Sequence, residues 1–445
     1  MAVLKKGDRI KLDNGKEIEN LQKLGDGGQG IVFKVDYSGE EYALKWYKSS
    51  YLKDLSSRHK NGKKFFRENI ERNIAKGSPN NKFLWPIAIT EEKNGVFGYI
   101  MDLRPQGYFD FTDIYNTKDK NGNPVLFKNL RASVESASGI VNAFGALHRK
   151  GYFYLDLNDG NFFINTENGD VLICDNDNVT ADPKYNLGKP GYIAPELVRG
   201  DKDAKSNALT DAHSLAVVLF KLFMRHDPLM GKTYCSSVCI SAEKEIDLYG
   251  SNPVFIFDPD DKSNRPVLNI HSNPIKLWPM YPPYIQDAFV RTFCEGMKDP
   301  AKRLVESEWS KLLLHLSDDI LRCLCGQDMF WSGKSNNVTC PKCSQSFNAP
   351  CNIEIGDYKI HLFPESKILN THLNDDFFDK SVYGLVVTNK SDPTKWGLKN
   401  MSNDLWNVKK VNGETVAITT GKIISIVPGT EIELPGAKKL IIKTQ

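Results

Sequence analysis

The sequence lacks the features that mark membrane proteins and many nucleic-acid-binding proteins. No stretch of its 445 residues is apolar over the roughly 20 positions needed to cross a bilayer, and the longest apolar run, LAVVLFKLFM, contains Lys221 and predicts a buried helix. The N-terminal segment MAVLKKGDRIKLDNGKEI has no apolar core of the kind found in signal peptides. The net charge is only +3. We therefore expect a cytoplasmic protein whose main partner is neither nucleic acid nor a membrane.

A chain of this length exceeds one ordinary hydrophobic core, so two or three domains are expected. Its 40% hydrophobic and 25% charged residues are typical of a folded globular protein. Four of the nine cysteines lie between residues 323 and 343, and strand-like segments follow to the end. The sequence thus predicts a mixed α+β domain over residues 1–320, a small metal-binding unit over 321–350 and an all-β sandwich over 351–445.

A glycine-rich segment, LGDGGQGIVFKV, places Gly25, Gly27 and Gly30 in the spacing G-x-G-x-x-G, with Val32 two residues further on. The spacing alone is equally typical of a plain tight turn. The segment that follows, IVFKVDY, is strand-like rather than helical, which disfavours a dinucleotide-binding fold. The sequence therefore favours a β-hairpin folded over phosphates.

The next strand, EYALKWY, places Lys45 among apolar residues, where a buried charge needs a partner. The alternative is a lysine that faces solvent at the sheet edge. The following helix, FFRENIERNIAK, has apolar residues at every fourth position, and its end is predicted at Gly77. At about 100° per residue, Glu71 lies near the border of the apolar face and Glu68 nearly opposite it. We therefore predict that Glu71 pairs with Lys45; the alternative is a solvated helix carboxylate.

A polar loop between two apolar segments, YFYLDLNDGNFFIN, contains Asp156 and Asn161. A polar turn between strands is one interpretation. Four further segments follow it in order: DVLICDNDNV with Asp175, GKPGYIAPELV with Glu196, TDAHSLAVVLFKLF, and DPAKRL with Arg303. Together with the glycine hairpin and the buried lysine, these segments resemble the protein kinase family, whose motifs include H-R-D-L-x-x-x-N, D-F-G and A-P-E.

The resemblance implies a two-lobed fold, with an N-lobe over residues 1–102 and a C-lobe over 103–320. It implies that the glycine hairpin and Lys45 hold the phosphates of ATP. It also implies that the backbone of the hinge, from Asp102 to Arg104, binds the adenine. Asn161 and Asp175 would bind Mg²⁺ or Mn²⁺, and Asp156 would orient the acceptor hydroxyl. The resemblance also implies an ion pair between Arg303 and Glu196.

Several positions depart from the family pattern. Leu155 stands where many kinases have the arginine that contacts a phosphorylated activation loop, which disfavours that kind of switching. Asn158 replaces a lysine that contacts the γ-phosphate, and Asn176 and Asp177 replace the Phe and Gly of D-F-G, so that a third carboxylate lies near the metals. Lys189 occupies the position of a threonine, and our hypothesis is that it restores the charge lost at position 158. The alternative to an active enzyme is a nucleotide-binding pseudokinase that acts as a scaffold.

The segments YLDLNDGNFFI, ICDNDN and PGYIAPEL, with the turn HDPLMG, look similar to a group of bacterial kinases from tellurite-resistance-like stress modules. That resemblance implies serine/threonine protein substrates. It also implies two partners, a von Willebrand factor A-type protein and a metal-dependent protein phosphatase.

The segment CLCGQDMFWSGKSNNVTCPKC supplies two close cysteine pairs, formed by Cys323, Cys325, Cys340 and Cys343. Two such pairs separated by a hairpin suit tetrahedral zinc in a zinc ribbon, although C-x-C is less usual than C-x-x-C. Because no ligand position is left open, the predicted zinc is structural. Free thiols are the alternative.

The remaining segments, including WGLKNMSNDLW and VPGTEIEL, are similar to a forkhead-associated domain, a phosphothreonine-binding module. The arginine that such domains carry near their first strands is not evident, and Lys367, Thr371 and His372 are the nearest candidates for phosphopeptide contact. The alternative is a β-sandwich that serves only for docking.

Overall fold

The structure of the chain is a computed structural model. It describes residues 4–58, 60–184, 187–235, 241–331, 337–377, 379–392 and 394–444. The chain divides into two compact units. The first comprises residues 1–127, 139–274 and 289–305, and the second comprises residues 128–138, 275–288 and 306–445. The domain boundaries proposed at residues 320 and 350 stay predictions.

The first unit begins with an antiparallel six-stranded sheet in the order β1-β2-β3-β4-β6-β5. Its strands are β1 (Arg9–Lys11), β2 (Glu17–Asp26), β3 (Gly30–Tyr37), β4 (Glu40–Tyr47), β5 (Ala88–Ile89) and β6 (Gly98–Asp102). Alternate residues of β3 and β4 belong to two separate core clusters, one on each face of the sheet. Both faces of the sheet are therefore covered by apolar residues. One of these clusters includes Phe66 and Ile70 from a helix that covers that face.

The helices of the chain are α1 (Ser49–Arg58), α2 (Gly62–Lys76), α3 (Phe111–Asn116), α4 (Leu130–Arg149), α5 (Pro195–Arg199), α6 (Ala208–Met224), α7 (Lys232–Cys235), α8 (Ala242–Ile246), α9 (Ser272–Leu277), α10 (Pro283–Val290), α11 (Gly296–Lys298), α12 (Glu306–Asp318) and α13 (Asn370–Asn374). Helix α2 ends as predicted at Gly77, which has a φ of 73° and whose N–H caps the helix. Helix α6 is buried on nearly all sides, as its apolar composition predicts. Within the described ranges, no helix combines the length and the apolar character needed to span a bilayer.

Short strands frame the polar loop of the first unit. They are β7 (Tyr108–Asp110), β8 (Phe153–Tyr154), β9 (Phe162–Asn165), β10 (Val171–Ile173) and β11 (Val179–Thr180). Strands β10, β9 and β7 form one sheet, and β8 pairs with β11. Because β8 leads into the loop and β9 leaves it, pairing of β9 with β10 and of β8 with β11 holds both ends of the loop next to the segment around Asp175.

The second unit contains two short hairpins and a sandwich of two antiparallel sheets. The hairpins are formed by β12 (Ile320–Arg322) with β13 (Asp328–Phe330) and by β14 (Asn337–Thr339) with β15 (Ser346–Asn348). One sheet has the order β17-β16-β25-β24-β21-β22, and the other has the order β18-β19-β20-β23. Their strands are β16 (Asn352–Ile355), β17 (Tyr358–His361), β18 (Lys367–Leu369), β19 (Val382–Thr388), β20 (Trp396–Asn400), β21 (Trp406–Lys409), β22 (Thr415–Ile418), β23 (Ile423–Ser425), β24 (Glu431–Glu433) and β25 (Lys439–Lys443).

Apolar residues from both sheets form one core, which includes Ile353, Leu398 and Trp406. The C-terminal end of α12 belongs to the same unit and carries two buried carboxylates. Asp318 lies 3.2 Å from Nε2 of His372, and Asp319 accepts a hydrogen bond of 2.8 Å from the hydroxyl of Tyr284. These contacts join the sandwich and α10 to α12 within the second unit.

Candidate active site

The glycine hairpin joins β2 to β3 and lies next to Lys45. Gly27 N–H donates to the Gly30 carbonyl at 2.9 Å, and the ammonium of Lys48 donates to the Gly27 carbonyl at 2.7 Å. A Cβ atom at Gly30 would come within 2.6 Å of the Trp46 carbonyl oxygen, so only glycine is accommodated there. No atom lies within 4 Å of such a Cβ at Gly25, so that position leaves open space. The hairpin is thus tightly packed against the backbone at Gly30 and has free space around Gly25.

Lys45 lies in β4 opposite Val32, and its side chain is only 5% exposed. Its ammonium contacts three oxygen atoms: Gln29 Oε1 at 2.9 Å, Asp177 Oδ2 at 2.8 Å and Asp175 Oδ1 at 3.2 Å. Burial alone would lower the pKa of Lys45, but the two carboxylates raise it above its ordinary value. The lysine therefore stays charged, and it is buried and paired as predicted.

The partner predicted for Lys45 is wrong. Glu71 pairs instead with Arg67 on the same helix, at 2.9 Å, and its side chain is 43% exposed. The face of α2 that is directed toward the site carries Asn69 and Asn73, whose amides donate to backbone carbonyls of residues 177 and 179. Glu71 is thus a solvated helix carboxylate, which was the alternative interpretation.

The polar loop is held by hydrogen bonds of Asn158. Its N–H donates to Asn161 Oδ1 at 2.8 Å, and its own Oδ1 accepts from the Gly160 N–H at 3.0 Å, so that the two asparagines cap a short 3₁₀ turn. The Asn158 amide also donates to the carboxylate of Asp156 at 3.3 Å. The asparagine that replaces the family's lysine therefore fixes the shape of the loop.

Asp156 is partly buried beside other acidic groups. Burial and the charges of Asp175 and Asp177 raise its pKa to about 6, and the charge of Lys189 and the hydrogen bond from Asn158 oppose this shift. A carboxylate with a pKa just below neutrality is ionised at physiological pH and can still accept a proton. The structure thus places Asp156, Asp175 and Lys189 in one electrostatic neighbourhood.

The segment after β10 presents Asp175 to solvent and buries the next two residues. Asp175 adopts a φ of 55°, a left-handed conformation, and its side chain is 42% exposed. Asn176 is fully buried, and its amide donates to the carbonyls of Leu84 and Ile173 at 2.9 Å each. The polar residue in the aromatic position of D-F-G is therefore accommodated by two hydrogen bonds.

Asp175 and Asn161 are the residues that could hold a divalent cation. The Asp175 carboxylate is half exposed, and carboxylate and amide oxygens are the ligands that Mg²⁺ prefers. Asn161 is positioned by Asn158 at the start of β9, and its backbone carbonyl accepts the Cys174 N–H at 2.8 Å, which ties it to the residue before Asp175. The residues present fit such an ion.

The predicted hinge, Asp102–Arg104, follows β6. The guanidinium of Arg104 lies 4.4 Å from the centre of the Phe163 ring and contacts Asp110 at 3.3 Å. The apolar residues Val32, Ala43, Met101, Leu103, Phe163 and Cys174 belong to one cluster beside this segment. Sequence reasoning identified only Val32 among them, since alternation within single strands does not show which strands share a cluster. Contact of the hinge backbone with adenine stays a prediction.

Lys189 is exposed, and its positive charge lowers the pKa of Asp156. We expect Lys189→Ala to raise the pKa of Asp156, so that the acid limb of the pH–activity profile moves to higher pH. We also expect turnover to fall about tenfold. An exposed charge stabilises the transferred phosphate less than a buried contact does, so its loss should cost less. The measurement is kcat/KM as a function of pH.

Lys184→Ala is the control, because Lys184 lies in the same segment and pairs with Asp182. We expect its profile to match that of the wild type. Turnover of Lys189→Ala at the wild-type rate, with an unmoved acid limb, would dismiss a catalytic contribution of Lys189.

The ion pair predicted between Arg303 and Glu196 is confirmed. Two parallel hydrogen bonds of 2.7 Å join the guanidinium to the carboxylate, and the Arg303 side chain is fully buried. Arg303 also donates to the carbonyls of Gly296 and Leu209, at 2.8 and 3.0 Å. The pair fixes the segment around α5 against the first turn of α6.

Loss of this pair should be costly. We expect Arg303→Ala to lower the free energy of unfolding by about 3–5 kcal/mol, because it leaves the Glu196 carboxylate largely buried without its partner. Denaturant unfolding measures the change. Arg9→Ala is the control, because Arg9 forms an exposed pair with Glu19 at 3.7 Å and its loss should cost no more than about 1 kcal/mol. Equal effects of the two variants would contradict the expectation.

The four cysteines of the second unit form one cluster. The Sγ atoms of Cys323, Cys325, Cys340 and Cys343 all lie within 4.8 Å of one another, and two of their separations are 3.6 and 3.7 Å. Four sulfur ligands about 2.3 Å from a zinc ion at tetrahedral angles would lie about 3.8 Å apart. Each cysteine pair follows a strand of one hairpin, and turns at Gly326 and Ser344, both with positive φ, bring the pairs together. The donor set and its spacing fit zinc.

Two of the residues suggested for phosphopeptide contact have structural roles. Thr371 is buried and donates to the Asp379 carbonyl at 2.7 Å. His372 is buried, accepts the Leu369 N–H at 2.9 Å and faces Asp318. The assignment of Thr371 and His372 to phosphopeptide contact is therefore wrong. Lys367 lies 3.7 Å from Glu135 and is partly exposed.

Several residues that complete the site were not identified from the sequence. Gln29 binds Lys45, Tyr47 donates its hydroxyl to Asp177, and the Asn69 amide donates to the backbone carbonyls of Asp177 and Val179. Asp177 itself was noted only as a third carboxylate near the metals. No local pattern marks these residues, because each acts through a contact with a distant part of the chain.

Known proteins resemble part of this chain. The family model described as protein kinase domain matches residues 18–304, more than half of the chain. The serine/threonine-protein kinase mos of Gallus gallus is 28% identical over 233 residues, which cover 48% of this chain and 63% of the relative. Rhodopsin kinase GRK1 of Rattus norvegicus is 27% identical over 223 residues, which cover 48% of this chain and 36% of the relative. The mos kinase of Apteryx australis is 26% identical over 199 residues, which cover 41% of this chain and 96% of the relative. The chain thus spans less than two thirds of the first two of these relatives.

Proposed function

Because the chain belongs to the protein kinase family, we propose that it transfers the γ-phosphate of ATP to serine or threonine hydroxyls of protein substrates. The observation that carries this proposal is the convergence of Lys45, Asp156 and Asp175. Lys45 lies 3.2 Å from Asp175, and the charge of Asp175 raises the pKa of Asp156. One cation and two carboxylates thus meet beside a glycine-rich hairpin, which is the set of groups that phosphoryl transfer requires.

Each residue has a chemical role in this proposal. Lys45 offsets the negative charge of the ATP phosphates, and Asp156 orients the acceptor hydroxyl and accepts its proton. Asn161 and Asp175 would hold Mg²⁺ or Mn²⁺, which supplies further charge neutralisation at the phosphates when bound. The reaction then depends on positioning and electrostatic stabilisation more than on covalent catalysis.

A second candidate function is a nucleotide-binding pseudokinase that acts as a scaffold. The hydrogen-bonding capacity of the Lys45 ammonium is taken up by Gln29, Asp175 and Asp177. The loop supplies no cation at position 158, where the amide of Asn158 binds its own loop. Both observations favour a site that binds a nucleotide with little turnover.

One assay separates the two functions. The purified protein is incubated with γ-labelled ATP, Mg²⁺ and a generic protein substrate, and the labelled amino acids are identified. We expect phosphoserine or phosphothreonine on the substrate or on the protein itself. Binding of ATP without any transfer of label would favour the scaffold.

We further propose that the second unit serves recruitment. The cysteine cluster would be a structural zinc ribbon, and the sandwich, which is similar in sequence to a forkhead-associated domain, would dock partner proteins. Because Thr371 and His372 are buried, a docking role is favoured over phosphopeptide binding at these residues. The von Willebrand factor A-type protein and the metal-dependent phosphatase implied by the bacterial resemblance are the partners to test by co-purification.

A further inference from the structure

Lys45 needs an anchoring carboxylate, because a buried ammonium that is to meet phosphates must be held in one place. Helix α2 does not supply this group, since Glu71 pairs with Arg67 and is 43% exposed. The side chains of α2 that hydrogen-bond to the segment around Asp177 are uncharged amides, Asn69 and Asn73. The carboxylate therefore has to come from another element.

Asp177 has the geometry of that anchor. It lies 132 positions after Lys45, its side chain is 0% exposed, and its Oδ2 lies 2.8 Å from the Lys45 ammonium. Lys45 and Asp177 thus form a buried pair. Asp175 also contacts Lys45, at 3.2 Å, but its side chain is 42% exposed. We propose that Asp177, in the third position of the segment D-N-D, is the positioning residue that anchors Lys45 for nucleotide binding.

Neighbouring residues hold Asp177 in this position. The Tyr47 hydroxyl donates to the same Oδ2 atom, and the Tyr47 ring packs against Phe66 and Phe97 at centroid distances of 5.0 and 5.3 Å. The Asn69 amide donates to the Asp177 carbonyl at 3.2 Å and to the Val179 carbonyl at 2.8 Å. Both the side chain and the backbone of Asp177 are therefore fixed from the side of the six-stranded sheet and α2.

This arrangement divides two tasks between two carboxylates. Asp177 neutralises the buried lysine, which leaves the half-exposed Asp175 able to meet a cation. Loss of the charge at position 177 would leave Asp175 as the remaining anionic partner of Lys45 among the contacts described for it. Both the lysine and the cation ligand would then move from their productive positions.

The inference rests on the proposed function, because it assigns a role in nucleotide binding. Its test is a comparison of two ligands, Mg–ATP and adenosine, by titration calorimetry on the full chain. We expect Asp177→Asn to weaken Mg–ATP binding about 10- to 100-fold, the range for a lost charged hydrogen bond, and to change adenosine binding by less than about twofold. Glu71→Gln, the matched change on α2, should leave both affinities within about twofold of the wild type.

Two results would overturn the inference. One is an Mg–ATP affinity of Asp177→Asn within about twofold of the wild type, whatever the affinity of Glu71→Gln, and the other is an equal loss of adenosine and Mg–ATP affinity in Asp177→Asn. If Asp177→Asn does not fold, Tyr47→Phe decides: a selective loss of Mg–ATP affinity of about threefold supports the anchor, and an unchanged affinity opposes it. Because no turnover is measured, a failure of phosphotransfer would leave this test intact.

Discussion

Replacing Asp156 with asparagine should slow phosphotransfer by about 10²- to 10⁴-fold, the contribution of a well-positioned proton acceptor. The amide keeps the size of the side chain but cannot take up a proton from the incoming hydroxyl. Asn158, which donates to the Asp156 carboxylate at 3.3 Å, would still hold the loop through its contacts with Gly160 and Asn161. Binding of ATP should therefore change by less than about twofold, and the loss should lie in kcat.

The pH dependence gives a second measure of the same residue. Burial and the charges of Asp175 and Asp177 raise the pKa of Asp156 to about 6, so the carboxylate is ionised above that pH and protonated below it. Wild-type kcat/KM should fall as the pH decreases through about 6, and this limb should be missing from the residual activity of Asp156→Asn.

Asp201→Asn is the matched control for Asp156→Asn. Asp201 is an exposed aspartate paired with Arg199, and its replacement should leave activity within about twofold. Equal incorporation of label by Asp156→Asn and wild-type protein would exclude Asp156 from the reaction and would favour the scaffold.

Removal of the proposed zinc ion should unfold the two hairpins that carry the cysteine quartet. Structural zinc sites contribute about 10–16 kcal/mol of apparent binding free energy, more than a small core of this kind can supply by itself. That core consists of a few residues, among them Met329, Trp331 and Phe363. We expect one zinc ion per wild-type chain by elemental analysis, and rapid proteolysis within residues 319–350 after treatment with a strong chelator.

Two single substitutions test the same site without a chelator. Cys340→Ser should lose zinc and gain the proteolytic sensitivity, because Cys340 is a buried member of the cluster and lies 3.7 Å from Cys325. Cys351→Ser should keep both properties of the wild type, because Cys351 packs against the core of the sandwich. Wild-type protein that is free of zinc and resists proteolysis in the same way would show that the cysteines act as thiols.

Roles that depend on a few neighbouring residues could be predicted from the sequence. The loop from Asp156 to Asn161 is shaped by Asn158, so its short polar pattern contains most of the information that fixes its geometry. The pairing of Arg303 with Glu196 was also predicted, although 107 positions separate them, because the family resemblance supplied the partner. The alternation of the tail predicted a sandwich, but not that β16 pairs with β25 at the far end of the chain.

Roles that depend on helix phase or on distant contacts could not be predicted. Glu71 lies near the border of the apolar face of α2, where a small rotation of the helix determines whether the side chain points toward Lys45 or toward solvent. Arg67, one turn earlier on the same helix, competes with Lys45 as its ion-pair partner. Asp177 meets Lys45 only after the strands and α2 have assembled, so no pattern within either segment indicates the contact. Thr371 and His372 were candidates for phosphopeptide contact, but the structure buries both.

The buried carboxylates at the end of α12 have a practical consequence for anyone who wishes to shorten this protein. Asp318 faces His372, and Asp319 lies 3.7 Å from His361, so two imidazoles of the sandwich cover acidic groups of a helix that the sequence assigns to the kinase domain. A chain cut after residue 320 or 350 would lose both histidines and leave those acids facing water beside an uncovered apolar helix. Shortening the chain in this way would therefore call for polar replacements on the uncovered apolar face of α12, whereas the two aspartates could stay once water solvates them.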